Sequence, residues 1–351
     1  MKARRNILLL AAAALAALLA GSCVKTLWPE DDGWTPLGGD RPVSFSSNLS
    51  APATKAGLPA GTTFGVFAYY TSTTKWTSAR GSTVPNFMYN EDVTFDGTTY
   101  TYDPIKYWPN TPNEKVSFWA YYPYSADVVL YKSNSTTAFS NTTKNLPDIR
   151  FTVTDGLTDF MVSNVASDKT KPSINTPVEI TFNHALSRIS FYVKKVDNAV
   201  PEKYTVKLKT IRIDGIYLTA THKNSGTAGW ANWTGPRGSI ASFVPADASR
   251  YLTLSTSYPA DGSPQVVSMV LPQDLSYDYA MLHVEYTIDF EGLLHTRTMI
   301  SNIPLSSVFE DASALWQKGK EYRVNISITP DDPIEFSVTW SNWGTVHNIN
   351  C

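Results

Sequence analysis

The chain has 351 residues, 42% hydrophobic and 13% aromatic, with 29 Lys and Arg against 31 Asp and Glu and a net charge of −2 at pH 7. With no basic excess to neutralise phosphates, nucleic-acid binding is not expected. Two cysteines, Cys23 and Cys351, are too few for a disulfide framework or a zinc cluster, so stability must come from packing.

The first segment reads as an export signal. Lys2, Arg4 and Arg5 form a charged head, Ile7 to Leu19 an apolar run, and Ala20-Gly21-Ser22 leads into Cys23. A run of about 13 residues is too short to cross a hydrocarbon core that needs roughly 20 helical residues, so it reads as a signal-peptide core. Small residues before a cysteine suit lipoprotein processing: residues 1–22 are lost, and Cys23 takes a diacylglycerol on its thiol and an acyl chain on its amine. Several chains hold a protein on a membrane more firmly than one. An ordinary secretory signal with a chance cysteine is the alternative. Cleavage leaves 329 residues with 26 basic against 31 acidic side chains, a net charge of −5. Two domains of ordinary size suit that length.

Residues 23–41 mix Trp, Pro, Gly and acid without a sustained period, as a tether would. Beyond them, short stretches alternate apolar and polar residues, the mark of strands with one face buried. Ile189, Phe191 and Val193 alternate with Arg188, Ser190 and Lys194; Tyr322 to Ile328 and Ile334 to Trp340 do the same. Turn clusters such as Asp96-Gly97, Asp155-Gly156, Asp214-Gly215 and Asp261-Gly262 separate them. Helical periodicity is scarce, with a turn or two expected in Ser307 to Gln317 before Gly319. The fold class is all-β, and the spacing suits antiparallel sandwiches. The strand Val178 to Phe182 passes almost directly into Ser187 to Lys194, which puts a domain boundary at His184-Ala185-Leu186 and domains at 42–185 and 186–351.

Several strings carry a family likeness. Thr63-Phe64-Gly65-Val66-Phe67-Ala68-Tyr69-Tyr70, Tyr107-Trp108-Pro109 and Val116-Ser117-Phe118-Trp119-Ala120-Tyr121-Tyr122-Pro123 are followed by Asp159-Phe160-Met161, Ile180 to Ile189, Val270-Leu271-Pro272-Gln273 and Trp316 to Tyr322. In this order the set resembles the fimbrillins of Gram-negative anaerobes, especially the Mfa-like branch. The resemblance implies two transthyretin-like antiparallel β-sandwich domains in tandem, exported as a lipoprotein to the outer membrane and cell surface and assembled into fimbriae. It also implies three kinds of partner: other pilin subunits, a trypsin-like processing protease, and a host or bacterial surface receptor. In the family's stalk subunits, a cut near the mature N-terminus frees the first strand and opens a groove, which a neighbour's C-terminal strand fills by strand addition.

Carried onto this chain, the first strand is Pro42-Val43-Ser44-Phe45-Ser46, and the cut falls after Lys55, before Ala56, in the small-residue segment Ser50 to Gly57. The family usually has arginine there, so Lys55 departs from a strictly arginine-specific cut. Arg41 is the other candidate, but Pro42 follows it. A solvated loop lysine is the plain reading of Lys55. Ile334, Phe336, Val338 and Trp340 share one face and are donor-strand candidates, although a core strand of the C-terminal domain explains them equally. Only about ten residues follow Trp340, short for an appended donor, which fits a tip or accessory subunit.

Catalytic patterns are absent. His184, His222, His283, His295 and His347 stand singly without metal-ligand spacing, His184 being expected to pack or hydrogen bond at the domain junction. No nucleophile elbow or phosphate loop occurs. The neighbouring pairs Asp31-Asp32, Glu310-Asp311 and Asp331-Asp332 diverge too much for glycoside hydrolysis, and Asn90-Glu91-Asp92 with Asp96-Gly97 lacks calcium-loop spacing. No enzyme activity, cofactor or metal is expected. Tyr69, Tyr70, Tyr121, Tyr122, Tyr124, Trp76, Trp119, Trp230 and Trp233 suit a hydrophobic core better than a sugar-binding platform. A monomeric glycan- or protein-binding lipoprotein on the same fold is the second reading.

Overall fold

The computed structural model describes residues 41–50, 58–126, 128–197, 203–224, 229–277, 279–292, 296–310, 313–330 and 332–343. They build an all-β protein. In chain order β1 (Phe45–Leu49), β2 (Thr62–Tyr70), β3 (Met88–Phe95), β4 (Tyr100–Thr101) and β5 (Val116–Tyr122) belong to a first sheet. β6 (Val128–Tyr131) and β7 (Asp148–Thr152) leave it for another sheet, and β8 (Met161–Ser163), β9 (Ala166–Lys169) and β10 (Val178–His184) return. The first sheet runs β1-β10-β8-β5-β2-β3-β4, with β9 also on β5.

β11 (Ser187–Lys195) follows β10 after Ala185 and Leu186, which are 1% and 0% exposed. β12 (Tyr204–Ile216), β13 (Thr219–Lys223), β14 (Gly229–Thr234), β15 (Gly238–Phe243), β16 (Leu252–Thr253), β17 (Val266–Val270), β18 (Met281–Phe290), β19 (Thr296–Pro304), β20 (Lys320–Ile328) and β21 (Glu335–Asn342) complete the chain. They form two further sheets, β17-β11-β20-β21 and β15-β12-β18-β19 with β16 on β12. The remaining sheet, β14-β13-β7-β6, draws two strands from each side of His184-Ala185-Leu186. From Arg41 onward the chain is one compact unit.

Among the described residues, helix amounts to short turns, including α1 (Trp76–Ala79), a 3-10 turn at Ala248–Arg250 and α2 (Leu305–Val308). Of the helical turn or two expected over Ser307 to Gln317, the described residues carry α2, which starts earlier, at Leu305, and buries Leu305 and Val308. Asp214-Gly215 is not a hairpin turn but an irregularity at the end of β12, where the register to β15 shifts. Gly215 has φ +72°, and a Cβ there would stand 1.9 Å from the Tyr279 carbonyl oxygen.

The strings that read as near-continuous apolar runs, β2 and β5, are buried on both faces, as strands inside a layered core must be. Phe64, Val66 and Ala68 with Val116, Phe118 and Ala120 face one core; Phe67 and Tyr69 with Trp119 and Tyr121 face the other. The second core continues through Ile149 and Phe151 of β7 into β11, β12, β18 and β20. The first is smaller, and every member lies between Val43 and Phe182. Gly65 lets the Tyr121 ring lie across β2, since a Cβ there would come within 2.4 Å of that ring.

Candidate functional site

The smaller core has an unusual lid. Among the described residues β1 is the edge strand of the first sheet and its one strand partner, β10, runs parallel to it, from Phe45 opposite Val178 to Leu49 opposite Phe182. Alternation decides which side chains it buries: Val43, Phe45 and Ser47 point in, 0%, 4% and 7% exposed. The Phe45 ring meets Tyr102 edge-on at 5.5 Å and Phe118 at 5.9 Å. Ile180 and Phe182 of β10 and Trp108 belong to the same cluster. An apolar groove is thus filled by a short segment near the start of the described chain.

The backbone of that segment is held at three places. The Val43 N–H donates to the Lys106 carbonyl at 2.8 Å and the Trp108 N–H to the Arg41 carbonyl at 2.9 Å, so residues 41–43 lie against 106–108. Val178 N–H donates to the Ser44 carbonyl at 2.7 Å and Ser50 N–H to the Phe182 carbonyl at 2.8 Å. The Tyr102 hydroxyl donates to the Val43 carbonyl at 2.8 Å. Burial pushes that hydroxyl up to about 12, which keeps it a donor at neutral pH. Ser47 is the polar member of the inward row, its Oγ 2.8 Å from the Tyr100 hydroxyl. It also accepts from the Leu58 N–H at 3.2 Å, so the chain returns to β1 at Leu58. Leu58 is 3% exposed and joins the same core.

Lys55 and Ala56, the expected processing site, fall between Ser50 and Leu58 but outside the described residues, as does Cys23. The donor candidates are described. β21 pairs antiparallel with β20, Trp340 opposite Tyr322 and Phe336 opposite Ile326, at the edge of its sheet. Ile334 and Val338, both 8% exposed, enter the large core and Phe336 packs against it, whereas Trp340 is 52% exposed with the Lys320 ammonium 4.7 Å from its ring. Arg41, the other basic candidate, is half-buried beside Trp108.

Of the remaining sequence candidates, His184 and His222 line one cavity but hold different partners. His184 Nδ1 bonds Asp159 Oδ2 at 2.6 Å and its ring stacks on Trp343 at 3.8 Å; His222 Nδ1 meets Asn224 Oδ1 at 2.9 Å; His283 Nδ1, away from both, meets Asn302 Oδ1 at 2.7 Å. His295 and His347 lie outside the described residues, and among the described residues no group of three His, Cys, Asp or Glu could hold a metal. Asn90 accepts from the Tyr121 hydroxyl at 2.7 Å, and Asp96 accepts from Thr98 and Thr99, so the faint calcium pattern is a strand and a turn. Tyr69, Trp76, Trp119 and Tyr121 are core, while Tyr124 and Trp233 are 40% and 39% exposed. Sequence reasoning missed Tyr100 and Tyr102, which hold β1 through their hydroxyls; nothing in their spacing marks them, because the hydroxyls matter only once β1 lies beside them.

The chain matches the fimbrillin-like family model over residues 52–343. The fimbrium subunit Fim1C of Phocaeicola vulgatus strain ATCC 8482 is 33% identical over 151 residues, a match spanning 41% of this chain and 40% of that protein. A fimbrial protein from Bacteroides vulgatus ATCC 8482, known from its crystal structure, shares the fold with a TM-score of 0.58 at 20% identity, over 87% of this chain and all of that one.

Proposed function

Because the chain belongs to the fimbrillin-like family, whose model covers residues 52–343, we propose that it is a subunit of a surface fimbria that receives a neighbour's strand in the groove now filled by β1. The observation that carries this reading is the lid itself: an edge strand with one strand neighbour, burying Val43 and Phe45 in a self-contained core. A parallel edge strand can be exchanged for another without unpairing the rest of the sheet, and alternate pockets below it set the register of whatever replaces it.

In this reading Cys23 carries lipid to the outer membrane, a trypsin-like protease cuts between Lys55 and Ala56, and residues up to Lys55 leave with β1. Residues 42–185 and 186–351 are two transthyretin-like sandwiches, the second lending β13 and β14 to a sheet of the first. The pairing of β21 with β20, with Ile334 and Val338 in the core, favours a subunit that accepts a strand without donating its own, a tip or accessory position rather than a stalk. The protein's role is structural or adhesive, with no reaction assigned to it.

The test is limited trypsin digestion of lipid-free protein, with N-terminal sequencing of the product and size-exclusion chromatography in the presence of a synthetic peptide of residues 41–50, the β1 segment that fills the groove. A new N-terminus at Ala56, loss of the β1 fragment and one-to-one uptake of the peptide are expected. A protein left whole at Lys55, or one that is cut yet keeps β1 and ignores the peptide, overturns the strand-exchange reading.

A further inference from the structure

β1 presents two faces, and the second one ends on a cavity. Val43, Phe45 and Ser47 point into the smaller core, so alternation turns Ser44, Ser46, Asn48 and Ser50 to the opposite side of the first sheet. A cavity of about 830 Å³ lies where the chain leaves β1 on that side. Its apolar lining comes from Trp119, Leu146, Val162, Val165, Ala185 and Trp343, and of residues 41–50 it takes in Ser50 alone.

The position of Ser50 is set by backbone pairing. Its N–H donates to the Phe182 carbonyl at 2.8 Å, which extends the parallel ladder of β1 on β10 by one rung. His184, two residues further along β10, lines the cavity, and its ring stacks on Trp343 at 3.8 Å while Asp159 holds Nδ1 at 2.6 Å. One wall is thus an aromatic pair locked in orientation. Any strand seated on β10 in this register delivers its side chain at the Ser50 position to the same cavity. Serine covers little of the apolar lining and is itself exposed. An aromatic side chain buries about 150–250 Å². Covering about 55 Å² of apolar surface at about 25 cal/mol per Å² corresponds to about 1.4 kcal/mol, one decade in affinity. Roughly a third of such a side chain against the lining is therefore enough for a tenfold preference.

A lid that must leave has to bind less well than its replacement. While the chain is whole, β1 is favoured by its covalent tie to the groove, which for a short linker acts as a local concentration of millimolar order. Once that tie is cut, the side chains decide. We propose that the cavity is a selection pocket for the incoming strand: the strand of a neighbouring subunit that replaces β1 places a large apolar or aromatic side chain where β1 has Ser50. This inference rests on the strand-exchange reading and adds to it the chemistry of the partner and the reason exchange runs in one direction.

The test has two arms. In the intact lipid-free protein, Ser50→Phe should slow hydrogen exchange of the Val178 amide, which bonds the Ser44 carbonyl, at least tenfold, whereas Asn48→Phe, on the same face but outside the cavity lining, should slow it less than threefold. In trypsin-cut protein, an amidated peptide of residues 41–50 carrying Ser50→Phe should bind at least tenfold tighter than the unchanged peptide, and Val165→Asp in the cavity wall should erase the difference. The Asn48→Phe comparison keeps the test open should Val165→Asp fail to fold. Equal affinities of the two peptides, or an equal gain from Asn48→Phe, overturn the pocket, while uptake of the unchanged peptide by itself supports strand exchange. If neither peptide is taken up, strand exchange fails and the selecting role falls with it, so the two failures are read separately.

Discussion

Replacing Phe45 by Ala tests whether β1 is a separable lid. Truncating a buried Phe to Ala costs about 3–5 kcal/mol, and at a sheet edge, where neighbours can close in, the lower end applies. The side chain is 4% exposed and loses two edge-on partners, Tyr102 and Phe118. Because β1 bonds to one strand only, the cost should fall on local release of β1 rather than on global unfolding. At 1.4 kcal/mol per decade, about 3 kcal/mol raises the released population roughly 100-fold. The assay is native-state hydrogen exchange at the Val178 amide, which bonds the Ser44 carbonyl at 2.7 Å, with the Val324 amide of β20 as control because β20 is paired on both sides. Val178 should exchange about 100-fold faster and Val324 at its original rate. If both amides accelerate equally, or Val178 changes less than threefold, β1 opens only with the whole protein and the lid argument is wrong.

Val338→Ala should destabilise by about 2 kcal/mol in urea titration while Trp340→Ser stays within about 0.5 kcal/mol, since one is buried and the other half-exposed; equal effects would mean β21 is not docked on its own core. His222 titrates near 4 folded and near 6.5 unfolded, so its contribution is complete above pH 6.5 and lost as pH falls towards 4. The stability difference between the native protein and His222→Phe should therefore shrink by about 2.5 kcal/mol between pH 7.5 and 4.5, and parallel pH curves would contradict the buried neutral imidazole. Gly215→Ala should cost about 2 kcal/mol or more, from a left-handed backbone and a Cβ driven into the Tyr279 carbonyl; a melting temperature within 1–2 °C of the native protein's, on a scale of roughly 2–4 °C per kcal/mol, would refute the close approach.

The period-2 pattern of Ser187 to Lys194, Tyr322 to Ile328 and Ile334 to Trp340 determined those strands to within a residue or two, because a half-buried strand imposes its alternation on the residues themselves. The ordered strings from Thr63 to Tyr322 likewise placed the chain in its family without coordinates, whereas the first strand, expected over Pro42 to Ser46, lies over Phe45–Leu49 and shares only Phe45 and Ser46 with that stretch. What no local pattern carries is partnership. That β1 lies parallel to β10, 133 residues away in register from Phe45 to Val178, depends on loop closure and on the fit of Phe45 between Tyr102 and Phe118. That β2 and β5 are buried on both faces, and that β13 and β14 join β7 and β6, are likewise choices among compatible apolar surfaces made only when the sheets stack. The bare nitrogen of His222 is the extreme case: its residue type is plain in the sequence, but its tautomer and its lack of a partner come from an amide held by Pro147, 75 residues upstream of the imidazole.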